Sequence, residues 1–191
     1  MSLTSLRKRI INAKENALFL KKGWHPIYSV DTSAKILIIG QAPGRIAQET
    51  GIPWNDKSGD NLREWLGMSR EQFYDKKMVA LVPMDFYFPG SLERGDVPPR
   101  KGFAEKWHPS LLKQMPDIKL VILIGQYSQE YYLGTKRKAT LTQTVRAFKE
   151  YLPKFVPLVH PSPRNNIWLK KNPWFKKEVV PKLQSLIRGL L

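Results

Sequence analysis

The 191-residue chain carries 32 Lys and Arg residues against 16 Asp and Glu residues, which gives a formal net charge of +16 at pH 7 with neutral His. Because 42% of its residues are hydrophobic and 11% are aromatic, it has enough apolar material for one buried core, which excludes a disordered chain. Its lack of cysteine excludes disulfides, thiolate-bound zinc, iron–sulfur clusters and cysteine nucleophiles. The positive charge predicts a polyanionic partner: nucleic acid first, with an anionic membrane surface or a ribosome as alternatives.

Residues 1–30 form a basic N-terminal segment for which we predict an amphipathic helix. Its apolar side chains recur at helical spacing, at Leu3, Leu6, Ile10, Ala13 and Ala17. A transit peptide has a similar composition and is the alternative interpretation. We expect this segment to pack on a single domain that spans residues 1–191.

The apolar runs are too short for a membrane span, because even residues 120–125 fall far below the roughly 20 residues that cross a bilayer. We therefore expect a soluble, cytoplasmic protein with no membrane partner, associated with the nucleoid if the source is bacterial. Lys and Arg residues are scattered through residues 94–106, 136–138 and 170–177. These stretches are expected to follow a phosphate backbone, with a solvated charged face as the alternative.

Four short runs rich in Ile, Val and Leu predict strands, at residues 35–40, 78–83, 120–125 and 155–160. Because the runs are apolar throughout, both faces of their sheet should be covered, and the long connections leave room for helical crossovers. The predicted fold class is therefore α/β, a three-layer α/β/α sandwich around a central, mainly parallel four-stranded sheet. Helices are predicted at residues 58–66, 103–115, 127–133, 141–151 and 175–190.

Ligands of such sheets bind beyond the carboxyl ends of the strands, and a glycine-rich segment follows the first predicted strand. Two glycines and a proline make residues 40–44 a tight turn in which backbone N–H groups can face a ligand. Taken alone, the segment also fits a purely structural turn. It lacks the Gly-Lys-Ser/Thr ending of a phosphate loop and the third glycine of a dinucleotide-binding fingerprint.

The tripeptide His-Pro-Ser occurs twice, in different contexts. His108 follows a charged stretch and precedes two leucines, so we predict that its tripeptide opens a helix. His160 instead ends the fourth predicted strand, on the expected ligand side. We predict a functional imidazole there, with a hydrogen-bonded structural histidine as the alternative.

Three segments, residues 40–44, 47–54 and 160–165, resemble the two motifs of the uracil-DNA glycosylase superfamily. The first motif is similar to those of the single-strand-selective monofunctional branch and of the thermophilic branch, and the second is closest to the single-strand-selective branch. The thermophilic branch holds an iron–sulfur cluster on four cysteines, which this chain cannot do. The resemblance implies that a base is flipped out of nucleic acid into a pocket at the strand ends, where its glycosidic bond is hydrolysed.

The resemblance also implies roles for individual residues. His160 would donate a hydrogen bond to the base oxygen on which negative charge accumulates. Trp54 would stack on the flipped base, with a core aromatic as the alternative, and Gly40 and Ala42 would complete the base pocket. Further residues are expected to contact DNA, with Ser162 on a phosphate and Arg164 in the gap of the base stack or on a phosphate; they are Pro43, Gly44, Ser162, Arg164 and Asn165.

Two departures from the pattern affect the chemistry. Ala42 stands where several branches carry a water-orienting Asp or Asn, so we expect Gln41 to hold the water without deprotonating it. Ala80 aligns with an Asn that reads the uracil edge, and Asp85 is the nearest polar side chain that could replace it. Since a carboxylate accepts hydrogen bonds from N–H and amino groups, we hypothesise a modified or deaminated base other than uracil. A solvated or salt-bridged loop residue is the alternative for Asp85.

The resemblance thus implies a monofunctional DNA glycosylase of base-excision repair that releases uracil or another deaminated or damaged base by water attack. It would need no cofactor or metal, act on single- or double-stranded DNA, and be a monomer. A non-catalytic nucleic-acid-binding or damage-sensing member of the same fold is the alternative, favoured by Ala42 and Ala80. A basic ribosome- or RNA-associated protein is a third possibility.

Overall fold

A parallel four-stranded sheet forms the centre of the computed structural model, which describes residues 2–93 and 95–191. Its strands are β1 (Ile36–Ile39), β2 (Val79–Leu81), β3 (Leu120–Ile124) and β4 (Phe155–Leu158), in the order β2-β1-β3-β4. All four predicted strands and the α/β class are confirmed. Each strand ends earlier than its apolar run, and the runs of β1, β2 and β4 end at Gly40, Pro83 and His160, which line a pocket.

Helices cover both faces of the sheet, which explains why its strands are apolar throughout. Because neighbouring strand residues point to opposite faces, Ile36 and Ile38 enter one buried cluster, whereas Leu37 and Ile39 enter another. Pro157 of β4 is tolerated because β4 pairs only with β3 and lies at the edge of the sheet.

Ten α-helices are found within the described residues: α1 (Leu3–Ile11), α2 (Ala17–Lys21), α3 (Arg45–Thr50), α4 (Lys57–Leu66), α5 (Arg70–Tyr74), α6 (Phe103–Leu112), α7 (Gly125–Leu133), α8 (Leu141–Arg146), α9 (Asn166–Lys171) and α10 (Val180–Arg188). Two predicted helices are divided. A 3-10 turn over Phe148–Tyr151 follows α8, and a π-helical turn over Phe175–Val179 precedes α10. Pro181 explains the second division, since it lacks an N–H and is accommodated only in the first turn of a helix.

The N-terminal segment packs against α6 through α1, whose Leu6 and Ile10 are fully buried. The predicted amphipathic helix is shorter than expected, because α1 ends at Ile11 and Ala17 belongs to a separate helix. The buried Asn16 amide explains the break, since it donates to the carbonyl of Ile10 at 2.6 Å and folds the chain back. No helix of the described part is long and apolar enough to span a membrane. Arg94, the first residue of one predicted basic stretch, lies outside the described residues.

His108 lies inside α6, so the prediction that its tripeptide opens a helix is wrong. The helix already begins at Phe103, and the His108 ring is completely buried. Its Nε2–H donates to the carbonyl of Pro83 at 3.0 Å, and its Nδ1 accepts from the Tyr132 hydroxyl at 2.7 Å. Burial lowers the pKa of His108 to about 4, which keeps the ring neutral at physiological pH.

The buried neutral His108 predicts a loss of stability in acid. Because its pKa falls from 6.5 to about 4 on folding, the unfolded chain binds the proton first as pH drops below about 6.5. Between pH 7 and pH 4 the free energy of unfolding should fall by about 2–3 kcal/mol on this account. Urea unfolding of the wild type and of His108→Gln at both pH values measures this, and the variant should lose less stability on acidification. The exposed His25→Gln is the control, and equal losses in all three proteins would contradict the assignment.

Candidate active site

A pocket of about 250 Å³ lies at the carboxyl ends of the strands. Eight predicted site residues line it, drawn from both motifs: Gly40, Ala42, Pro43, Gly44, Trp54, His160, Ser162 and Arg164. Seven further residues complete the wall: Ile27, Ala47, Pro53, Asp56, Ser58, Pro83 and Asp96. Gln41, Asp85 and Asn165 are not among the lining residues.

Trp54 and His160 face each other in this pocket, with ring centroids 5.6 Å apart and planes inclined by 33°. Trp54 has a φ of 57°, and within the described part of the chain it is the only non-glycine residue with a positive φ. A bulky residue in this left-handed region is strained, and such strain persists only where the surroundings impose it.

Two glycines make room for Trp54. A Cβ atom on Gly40 would lie 2.8 Å from Cζ2 of the indole, and one on Gly59 would lie 1.8 Å from the Trp54 carbonyl oxygen. The indole therefore lies against the end of β1, while its backbone lies against the first turn of α4. Neither glycine position can accept a larger residue without moving Trp54.

Side chains of α4 and α5 hold the Trp54 backbone from the other side. The Tyr74 hydroxyl donates to the carbonyl of Pro53 at 2.9 Å and lies 3.3 Å from the carbonyl oxygen of Trp54. The Arg63 guanidinium also reaches the Trp54 carbonyl, at 3.5 Å, and lies over the Tyr74 ring. These contacts stabilise the left-handed conformation that turns the indole into the pocket.

The local backbone sets the tautomer of His160. The Ser162 N–H donates to Nδ1 at 3.2 Å, so the ring proton lies on Nε2 in the neutral form. Burial lowers the pKa of His160, against the opposing influence of the Asp56 and Asp96 carboxylates. The site thus contains a neutral imidazole with an Nε2–H donor, and the Asn165 amide fixes its backbone by donating to the His160 carbonyl at 2.7 Å.

Asp56 is a pocket residue that the sequence analysis did not identify. It caps α4, with Oδ1 accepting from the Gly59 N–H at 2.9 Å, while Oδ2 faces Gly44 across the pocket wall. An Asp directly before a predicted helix is the usual signature of such a cap and could have indicated its position. It places a carboxylate in the pocket although neither motif supplies one.

Gln41 is not among the residues that line the pocket. Its side-chain amide donates to the carbonyl of Val97 at 3.4 Å, and its backbone carbonyl accepts from the Asp85 N–H at 3.1 Å. The contacts give Gln41 a role in anchoring the loop after β2.

Asp85 is buried and fully paired, which matches the salt-bridged alternative rather than base reading. The Arg100 guanidinium donates to its two carboxylate oxygens, at 2.7 and 2.8 Å, and the backbone N–H groups of Tyr87 and Arg100 donate as well. Arg100 also donates to the Glu15 carbonyl and so fastens the N-terminal segment to the loop after β2. Ala80 is buried within β2. The residue of β2 and the chain just after it that lines the pocket is Pro83.

The described residues contain no cluster of three or more His, Asp or Glu side chains arranged to hold a metal ion. A larger, open hollow of about 750 Å³ runs along α8, from Lys138 to Trp174. None of the predicted site residues lines it. The smaller pocket is therefore the candidate active site.

Gly59→Ala tests the packing around Trp54. Alanine in a helix is ordinarily more stable than glycine by about 0.5–1 kcal/mol. Here the clash with the Trp54 carbonyl should reverse the sign and lower the free energy of unfolding by more than about 2 kcal/mol, measured by urea denaturation. Gly189→Ala, at an exposed position with ordinary van der Waals clearance, should change it little. Stabilisation by Gly59→Ala would contradict the described geometry.

Asp85→Asn tests the structural role of the buried carboxylate. Removing its charge leaves the Arg100 guanidinium uncompensated, so the free energy of unfolding should fall by about 3–5 kcal/mol. The matched control is the exposed Asp117→Asn, which should change it by less than about 0.5 kcal/mol. Equal stability of the two variants would mean that the Asp85–Arg100 pair is not needed for the fold.

This chain is similar to a solved structure and to a protein family. The solved structure, determined by solution NMR, is that of a Methanosarcina acetivorans protein provisionally named a uracil DNA glycosylase. It has 18% sequence identity to this chain and a TM-score of 0.44. The match covers 84% of this chain and 93% of the Methanosarcina acetivorans chain. The family model of the uracil DNA glycosylase superfamily matches residues 27–184, which include both motifs and every residue that lines the pocket. The chain therefore belongs to the uracil DNA glycosylase superfamily.

Proposed function

We propose that this protein is a monofunctional DNA glycosylase that hydrolyses the N-glycosidic bond of a base flipped into the pocket between Trp54 and His160. Superfamily membership supports the DNA glycosylase type of function. The observation that carries the finer proposal is the neutral His160, whose Nδ1 is occupied by the Ser162 N–H and whose Nε2–H remains for a ligand.

The reaction needs stabilisation of charge on the departing base. As the C1′–N bond breaks, its electron pair moves onto the base, and the Nε2–H of His160 donates to an acceptor next to the glycosidic nitrogen. The indole of Trp54 supplies a flat apolar surface on which the flipped base stacks, a contact worth about 1–3 kcal/mol. Both groups are held before the ligand arrives, so little reorganisation is required during the reaction.

Asp56 is the proposed acceptor for the water proton. Water oxygen forms the new bond to C1′, its proton passes to the carboxylate, and the base leaves as an anion that is protonated by solvent. The carboxylate also stabilises the positive charge that develops on the sugar. Oδ1 is fixed by the Gly59 N–H and Oδ2 faces the pocket wall at Gly44, which suits it to orient one water molecule.

The DNA contacts proposed for the pocket mouth involve the turn after His160. Arg164 and Ser162 line the mouth, and the Arg164 N–H donates to the Ser162 hydroxyl at 3.2 Å. The formal net charge of +16 supports binding to phosphates. No Lys is among the described residues that line the pocket, so the reaction is proposed to stop at the abasic site rather than continue through a lysine-bound intermediate.

The proposal is tested by comparing the rates at which the wild type and the His160→Ala variant release a base from DNA. Labelled oligonucleotides that contain uracil, hypoxanthine, xanthine or an oxidised pyrimidine are incubated with the protein, treated with alkali and resolved on a gel. The wild type should produce alkali-labile sites on at least one substrate, and His160→Ala should lower the rate about 10²–10³-fold. His25→Ala, which changes an exposed histidine side chain, should retain the full rate.

Two results would overturn the glycosylase proposal. One is a His160→Ala variant that releases base as fast as the wild type. The other is a wild type that releases none of the bases but binds DNA in a salt-sensitive manner. The second result would instead support a non-catalytic nucleic-acid-binding protein. The observations that favour it are Ala42 in the pocket wall and the Gln41 amide, which is bonded to the Val97 carbonyl and does not line the pocket.

A further inference from the structure

The pocket wall contributed by the chain after β2 offers no hydrogen-bonding side chain at Pro83. The Pro83 carbonyl accepts from the Nε2–H of His108, which commits it to the interior of the protein. Ala42 and Ala47 add only methyl groups to the wall. A base in the pocket must therefore be recognised by polar groups from elsewhere.

Asp96 reaches the pocket from a small hairpin whose described residues are 90–93 and 95–97. The Val97 N–H donates to the Gly90 carbonyl at 3.0 Å, the Leu92 N–H donates to the Gly95 carbonyl at 2.8 Å, and Ser91 pairs with Asp96 in an antiparallel bridge. The side-chain amide of Gln41 attaches this hairpin to the end of β1 through the Val97 carbonyl. The loop is thus held over the strand ends by hydrogen bonds.

The Asp96 carboxylate retains most of its capacity to accept hydrogen bonds. Within the described part of the chain its side chain has one long contact, from the Ser91 hydroxyl at 3.4 Å. Two carboxylate oxygens offer about four acceptor sites, so donors from a ligand can be accommodated. The carboxylate is also near enough to His160 to oppose the effect of burial on the imidazole pKa.

The negative charge of Asp96 is unfavourable for binding a polyanion, which indicates that this carboxylate has a function. The chain carries only 16 acidic residues against 32 basic ones, yet Asp56 and Asp96 both line the pocket. A negative charge at the mouth of a site for a polyanion weakens binding of phosphates. Asp56 is accounted for by its helix cap, whereas Asp96 caps no helix and forms no salt bridge among the described residues.

Building on the proposed glycosylase function, we propose that Asp96 determines base specificity by accepting a hydrogen bond from an N–H group of the flipped base. A carboxylate can only accept, so a carbonyl oxygen beside that N–H is repelled. Uracil has a carbonyl on both sides of its N3–H. Hypoxanthine has a carbonyl on one side of its N1–H and a C–H group on the other, so one carboxylate oxygen avoids the repulsion.

The substrate class assigned to this pocket is therefore a deaminated purine with such a lactam edge, preferred over uracil. His160 donates to the ring nitrogen N3 of the purine, which is bonded to the same carbon as the glycosidic nitrogen N9, while Asp96 accepts from N1–H. Undamaged bases with amino donors are disfavoured at an earlier step, because their Watson–Crick pairs resist flipping more strongly than a mismatched deaminated base does.

Asp96→Asn gives a direct test, because an amide can both accept from an N–H and donate to a carbonyl. Single-turnover rates are measured with matched duplex oligonucleotides that contain deoxyinosine or deoxyuridine. The wild type should release hypoxanthine faster than uracil. Asp96→Asn should raise the uracil-to-hypoxanthine rate ratio at least about tenfold, equivalent to 1.4 kcal/mol. The matched control, Asp56→Asn, should slow both reactions by the same factor and leave the ratio unchanged.

The outcomes separate this inference from the function on which it rests. An unchanged ratio in Asp96→Asn, with His160-dependent release of either base, overturns the role of Asp96 and leaves the glycosylase intact. A wild type that prefers uracil also overturns it. Failure of the wild type to release any base overturns both proposals. Urea unfolding of Asp96→Asn, with a midpoint expected to match that of the wild type, shows that the variant is folded.

Discussion

The candidate site depends on the left-handed backbone of Trp54. A φ of 57° at a tryptophan costs about 1–3 kcal/mol, and only the surrounding contacts make it stable. Gly40 and Gly59 remove the atoms that would collide with Trp54, and the Tyr74 hydroxyl holds the preceding carbonyl. The strain is thus distributed over β1, α4 and α5, which are rigid elements, so the indole faces His160 before any ligand binds.

The parallel sheet brings the two motifs together although they are separated by about 120 residues of chain. Both follow strands whose carboxyl ends lie at one edge, and β1 and β4 are separated there only by β3. The Asn61 amide on α4 then joins them by donating to the Pro161 carbonyl at 2.8 Å. Helix α4 therefore contacts both motifs: Asp56 caps its first turn beside the first motif, and Asn61, about one turn later, binds the second motif.

Much of this arrangement could be predicted from the sequence, for identifiable physical reasons. The strands were visible because burial on both faces requires apolar runs, and the turn after each strand was visible through its Gly and Pro residues. The start of α6 at Phe103 agrees with the predicted helix, whereas the prediction that the His108 tripeptide opens a helix is wrong, because Pro and Ser favour a first helical turn but also occur inside this helix. The π-helical turn before α10 has no comparable signal in composition.

The role of a carboxylate cannot be inferred from its position along the chain, and Asp85 and Asp96 illustrate why. Only 11 residues apart, both follow β2 and both are aspartates. The Arg100 guanidinium reaches back 15 residues to pair with Asp85 and packs over the Phe103 ring, which neutralises that charge inside the protein. The hairpin turns Asp96 into the pocket beside His160 instead. Long-range pairing thus decides which carboxylate is structural and which can meet a ligand, and this information enters only with the three-dimensional fold.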